Sequence, residues 1–487
     1  MEDSFYSKWC IKSRDIGDCY GVLNSELMYE CQESDTCSRC THSQHLKGCV
    51  DCHFTFYCAG CQNCFMSSNL KNQQYVFYNE RLTKQEYEKR VGSLNLGNHA
   101  TLKKLQADYE VMLRKTLRKY STSARIVNCT GDVLWDSKNV RRGFHLTACE
   151  DCAYCVDNDS LKDCYDAYEA AFNCERQYEC HACNRTSYAV ACSISYDNHH
   201  IYYCDMCHGS SDLWGCIGLR DKRHFILNQQ YSPEKYDRLT AQIISEMSSR
   251  PFTDNRGRKY AYGDFFPVEH SPFAHNETVA EEYFPLTKGE TLARSYQWKD
   301  PEEKGYQITI AAQDLPDRIQ DVSDDILGQV IGCAHQTRIN ADSTRIDADR
   351  KIDENPRIDQ SDSALECGHQ CTTAFRLIPA ELQFYRRLNL PLPRLCPNCR
   401  HSERIAQRNP LKLWHRRCQC DPSVPPLGKG RSGGVYQNTI EHSHGKEPCP
   451  NEFETSYAPD PRCAEGSGEA SRPEIVYCES CYNAEVA

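Results

Sequence analysis

No run of the chain approaches the roughly 18 consecutive apolar residues that cross a bilayer as a helix. The first residues, MEDSFYSKWCIKSRD, hold no apolar stretch of the kind that directs secretion. Positive charge is not in surplus either: 57 Lys and Arg stand against 68 Asp and Glu, for a net charge of −11. That balance removes any global attraction to nucleic acid or an anionic membrane. No Gly-rich phosphate loop, nucleophile elbow, H-E-x-x-H helix or carboxylate pair appears in a recognisable setting, so no reaction is identified. The expectation is a soluble, cytoplasmic protein without a membrane partner. Its 487 residues exceed one ordinary domain.

Cysteine is what the chain has in abundance. There are 33, an odd number, many at C-x-x-C spacing, which points to reduced thiols or metal. The stretch CVDCHFTFYCAGCQNC, residues 49–64, reads at first as zinc knuckles. Every third residue from Ser7 to Leu70 gives 22 positions: ten Cys, six Ser, one Thr and five Ile, Val, Met or Leu, none charged. A zinc ligand cannot be exchanged for Ser, Leu or Val, whereas a small buried side chain can. The row therefore reads as an interior wall. A period of three is neither helix nor plain strand and suits short extended arms turning at regular corners, as in a narrow solenoid. Pairs such as Cys37/Cys40 and Cys180/Cys183 keep the metal reading open; single members such as Cys10 and Cys164 have no nearby partner.

The pattern returns from Leu134 to Ala170, slips by one residue near Phe172–Asn173, and continues from Cys174 to Leu219. Both copies end alike, 68–87 and 217–236 superposing at an offset of 149 that pairs Asn79 with Asn228 and Tyr87 with Tyr236. Thr83 with Glu86, and Ser232 with Pro233, mark helix starts. After the first start, Leu105, Tyr109, Met112, Thr116 and Tyr120 form an apolar stripe, with Lys and Arg on its flanks.

The expected fold class is mainly β. A cysteine-lined, solenoid-like unit with a helical cap spans 1–125, and its duplicate spans 126–250. An aromatic- and proline-rich connection covers 251–330, with DLPDRIQDVSDDILGQVIGC read as a short amphipathic helix. A tandem zinc-ribbon or treble-clef module covers 331–487, interrupted by disordered insertions at 336–365, 421–434 and 460–471.

The tail carries the strongest chemistry. Cys367 and Cys371 precede Cys396 and Cys399 by about 25 residues, the second pair being C-P-N-C. In the second cluster Cys478 and Cys481 form a knuckle, and Cys449 precedes Phe453 by four residues as Cys371 precedes Phe375. Its remaining ligand is Cys418 or Cys420, with His444 as a rival. About two Zn2+ ions are expected, both in the tail.

The residues Cys371, Phe375, Glu381, Phe384, Tyr385, Pro393, Cys396, Cys399 and Arg400 resemble a small bacterial zinc-ribbon or treble-clef domain. Three residues separate Cys367 from Cys371 where that domain has two, which leaves Cys333 or His335 open as the fourth ligand. Over nearly its whole length the chain also resembles an uncharacterised, cysteine-rich, zinc-ribbon-tailed family of small-genome candidate-phylum bacteria. NLKNQQYVFYNERLTKQEYEKR, SPFAHNETVAEEYFPLTKGE, LPRLCPNCRHSERIAQRNPLKLWHRRC and FETSYAP carry the resemblance. Members are sometimes labelled CaiB/BaiF-like, but the carboxylate nucleophile of a CoA-transferase cannot be placed here. The resemblance implies tail zinc sites and a common architecture, with no established activity.

Two functions follow as expectations. One is a zinc-binding scaffold or interaction protein with a protein or RNA partner. RNA would meet the basic, aromatic stretch CRHSERIAQRNPLKLWHRRC, chiefly Arg404, Arg408 and Lys412. The other is a thiol- or metal-dependent enzyme, metal-handling, iron–sulfur or CoA-transferase-like, using the cysteines of the row.

Overall fold

The computed structural model describes residues 2–153, 155–159, 161–162, 174–175, 185–300, 305–335, 371–421, 438–459 and 474–486. Every third residue from Asp3 to Tyr78 has φ between +43° and +65°, the left-handed region. Two extended residues followed by one left-handed residue make a corner, and the corner fixes the period of three. Most of these residues are not glycine (Leu27, Phe54 and Met66 among them), so each costs about 1 kcal/mol, offset by the hydrogen bonds the turns permit. Neighbouring coils pair in parallel twelve residues apart: Arg14 faces Glu26, Gln44 faces Phe56, and Cys52 faces Cys64. Four three-residue sides therefore complete one coil.

The residue after each left-handed corner points inward. All ten cysteines of this row are buried. The ten thiols and six serine hydroxyls all donate to the carbonyl two residues back. Several also accept the inward backbone N–H of the coil above, as Ser7 does from Cys19, Ser25 from Cys37 and Cys37 from Cys49. The inward amide would otherwise be an orphan donor. Cys and Ser interchange along the row because both are small and carry this donor and acceptor.

The second stack repeats the plan. Gly131 faces Gly143 and Ser187 faces His199, twelve residues on. Cys149, Cys152, Cys155, Cys192, Cys204, Cys207 and Cys216 line it, all buried. The frame slip at Phe172–Asn173 lies outside the described residues.

Each stack ends in a two-residue hairpin with both turn residues left-handed, Tyr78–Asn79 and Leu227–Asn228. In the first, Asn79 Oδ1 accepts from the Ser68 amide at 2.8 Å; in the second, Asn228 Oδ1 accepts from Ile217 at 2.9 Å. The helix Lys84–Gly92 opens on Thr83 and Glu86 in a capping box, and Pro233–Ser249 opens on Ser232. The apolar stripe of the first cap is shorter than expected. His99–Lys115 is the helix, and Leu117–Lys119 is a strand beside Ile475–Tyr477. Pairing with the tail ends the helix there.

The chain is thus mixed rather than simply β, since helices close the stacks and build much of the tail. The helix expected before the tail is replaced by three 3₁₀ turns, Ala312–Asp314, Ile319–Asp321 and Asp324–Gly328. Its backbone is diverted to the first cap, with His99 donating to Asp317 and Ile319 to Gly97. No helix among the described residues is long and apolar enough to cross a membrane.

Candidate metal centres

The tail holds two four-thiol clusters built on one plan. In the first, Cys333 follows the strand Ile331–Gly332 and Cys371 precedes the antiparallel strand Ala374–Phe375. Cys396 is the N-cap of the helix Pro397–Ile405, and Cys399 sits in its first turn. In the second, Cys418 follows Trp414–Arg417 and Cys449 precedes Glu452–Thr455, again antiparallel. Cys478 stands before the helix Glu479–Val486, with Cys481 in its first turn. The registers agree: Ile331 faces Phe375 as Arg416 faces Phe453, which makes Cys333 the counterpart of Cys418. A shared backbone bond confirms the match, Cys396 N–H to Cys333 Sγ at 3.1 Å and Cys478 N–H to Cys418 Sγ at 3.2 Å.

Within each cluster the four sulfurs lie within 4.8 Å of one another. Sulfur separations are 3.9 Å for Cys333–Cys399 and Cys371–Cys396, 3.8 Å for Cys449–Cys478, and 3.7 Å for Cys449–Cys481. A tetrahedral ion with metal–sulfur bonds of about 2.3 Å spaces its sulfurs by about 3.8 Å. The donor sets therefore fit a tetrahedral metal ion. Sulfhydryl hydrogen bonding from Cys333 pulls Cys371 down and holds Cys396 at about 5, while Cys399 is pushed up by its three partners. Four crowded thiols ionise together only around a cation.

A third group adjoins the second cluster. Cys420, His442 and His444 converge with Cys481, their donor atoms again within 4.8 Å. The signal for it in the sequence is the pair of histidines in EHSHG, of which only His444 is expected above as a rival ligand.

Of the expected ligands, Cys371, Cys396, Cys399, Cys418, Cys449, Cys478 and Cys481 fall in the two four-thiol clusters, and Cys420 in the third group. Cys367 lies outside the described residues, and Cys333 occupies the fourth corner of the first cluster. Among the described residues, no three thiols of the stack rows gather as the tail thiols do.

The basic stretch after Cys399 is exposed only in part: Lys412 and Arg417 face solvent, whereas Arg400 and Arg404 do not. Arg400 and Arg404, one helical turn apart, both reach Asp18 on the first stack, and all three side chains are buried. Arg404 meets Asp18 Oδ1 at 2.9 Å, and Glu381 lies 3.8 Å from Arg400. Burial pulls the Arg400 guanidinium down, but Asp18 and its other neighbours carry it well above its usual value. Arg408 lies 4.3 Å over the Tyr20 ring and bonds His145 at 3.1 Å. Lys412 stands 5.0 Å over Trp414. The preceding helix, Pro379–Arg387, packs on the first coils through Phe384 against Phe5 and Tyr29, which brings the arginines that follow it to the same coils. The second cluster docks between the stacks: Thr455 donates to the Tyr120 carbonyl at 2.6 Å, Ser456 bonds Asp132, and Tyr482 bonds Asn69 at 2.9 Å.

Compared with models of known families and with curated proteins, the chain matches none.

Proposed function

We propose that the chain is a zinc-binding scaffold or interaction protein. In this reading two cysteine-lined β-solenoids, over 1–125 and 126–250, are clamped by a tandem zinc-ribbon or treble-clef module over 331–487, with 251–330 as connection. The observation that carries it is the pair of four-thiol clusters on one strand–Cys, Cys–strand, Cys–helix–Cys plan with tetrahedral edges. Thiolate donors at these spacings suit Zn2+, and four protein ligands leave no open position, which is the mark of a structural site. Their role is to fix the helix that carries Arg400 and Arg404, and the strand that ends on Thr455, to the stacks. The sides of the stacks then present a long surface to a protein partner. RNA binding through Arg404 and Arg408 is disfavoured by their internal pairing.

The enzyme reading gains no support. A cavity of about 390 Å³ between the stacks and the tail is lined by His45, Arg118, Asp132, His145, Arg408 and Tyr457 among others, and by no described cysteine. Elemental analysis of the full chain tests the proposal. Zinc is expected, with Cys396→Ser losing one ion and Cys52→Ser losing none. A protein free of zinc, or one whose metal is iron lost on changing the stack cysteines, overturns it.

A further inference from the structure

We propose that the tail binds a further Zn2+ ion through Cys420, His442 and His444, joined to the neighbouring four-cysteine ion by the Cys481 thiolate. The proposal rests on the zinc reading of the four-thiol clusters and extends it from two separate ions to three, two of them sharing a sulfur. Cys481 belongs to both donor groups: its Sγ lies 3.7 Å from Cys449 Sγ and 3.5 Å from His444 Nε2. Cys420 Sγ lies 3.0 Å from His442 Nδ1 and 3.2 Å from His444 Nε2. A tetrahedral ion with about 2.3 Å bonds to sulfur and about 2.05 Å to nitrogen spaces such atoms by about 3.6 Å, so loading requires a small expansion.

The second observation is on the far side of each imidazole. His442 Nε2 is 2.8 Å from the Glu485 carboxylate, and His444 Nδ1 is 2.6 Å from the Glu447 carbonyl. Both acceptors require N–H on that nitrogen, so in each neutral ring the nitrogen facing Cys420 carries a lone pair. This carboxylate or carbonyl behind a ligating histidine is the arrangement that orients metal-binding imidazoles. Cys420 Sγ also accepts from Asn438 Nδ2 at 3.2 Å. The Cys420 and Cys481 sulfurs are the groups that these two lone pairs face, at 3.0–3.5 Å. A cation that displaces the two sulfhydryl protons to solvent is met by both lone pairs and by the Cys420 and Cys481 thiolates.

A bridging thiolate carries two metal bonds and leaves the Cys481 sulfur without a proton. Metal content of the full chain and 113Cd NMR of the Cd2+-exchanged protein decide the matter together. Three ions per chain are expected, falling to two in His444→Ala, with three 113Cd resonances of which two are mutually coupled through the shared sulfur. Two ions in the parent chain, unchanged in His444→Ala, overturn this inference and leave the zinc scaffold standing. Three resonances without coupling overturn the bridge. No metal in the parent chain overturns the scaffold reading as well. The coupling is read on the unsubstituted protein, so a poorly folding variant does not blunt the test.

Discussion

Replacing Asp18 with Asn destabilises the protein by about 3–5 kcal/mol, the cost of leaving a buried charge without its partner. Asp18 is fully buried at a left-handed corner of the first stack, a conformation Asn tolerates as well as Asp. The substitution therefore removes charge and little else. Arg400 and Arg404 keep their neutral partners, Tyr385 Oη and the Tyr6 carbonyl, but their nearest carboxylates are then Glu381 at 3.8 Å and Glu30 at 4.0 Å. Denaturant unfolding reads the loss, and limited proteolysis reads the release of the tail from the stack. Adding Arg400→Met and Arg404→Met to Asp18→Asn recovers only part of the stability, because no guanidinium is then left without Asp18 but Glu381 and Glu30 lose their nearest cations. If Asp18→Asn costs less than about 1 kcal/mol, the charge is not what holds the tail to the stack.

Cys52 makes the second large effect. It is wholly buried, it donates to the Val50 carbonyl, and Cys64 lies above it in the paired coil. Cys52→Ser keeps a small donor at a position type that serine already fills six times in this row, and costs about 1 kcal/mol or less. Cys52→Asp puts a carboxyl in the same slot and costs about 4 kcal/mol or more at neutral pH. Burial raises the folded-state pKa of the introduced carboxyl above its unfolded value. The unfolded state then holds fewer protons than the folded state between those two values, so stability falls as pH rises through that window. The Cys52→Asp chain is accordingly most nearly normal at acidic pH and weakens toward neutrality, relative to the parent at each pH. Equal stabilities for the two substitutions would show that the row is not a sealed interior.

The row was readable because the backbone enforces it. One left-handed residue in three sends every following side chain inward, and an interior that excludes charge leaves its print at that spacing. The helix start in the cap of each stack was readable for a similar reason, since Thr83 and Ser232 satisfy local backbone groups. What could not be read depended on distant partners. Asp18 lies 382 residues from Arg400, so nothing near Arg400 and Arg404 reveals that their charge is neutralised internally. Cys333 is divided from Cys371 by the insertion expected over 336–365, so sequence alone left it level with His335, and its strand register, laid over that of Cys418, separates the two. His442 owes its place to Glu485, brought beside it by the last helix.

The span between Asp18 and Arg400 also governs the order of assembly. Coils of the first stack contact partners only twelve residues away and can zip up as the chain emerges during synthesis. The clamp on those coils cannot close until some four hundred residues have been made. Until then the first coils carry an uncovered acidic side chain and the unpaired aromatic face of Phe5 and Tyr29, a surface open to self-association. Refolding of the complete chain should therefore show fast local stacking followed by a slow, high-contact-order closure, and crowding of nascent chains would be felt mainly in the interval between them.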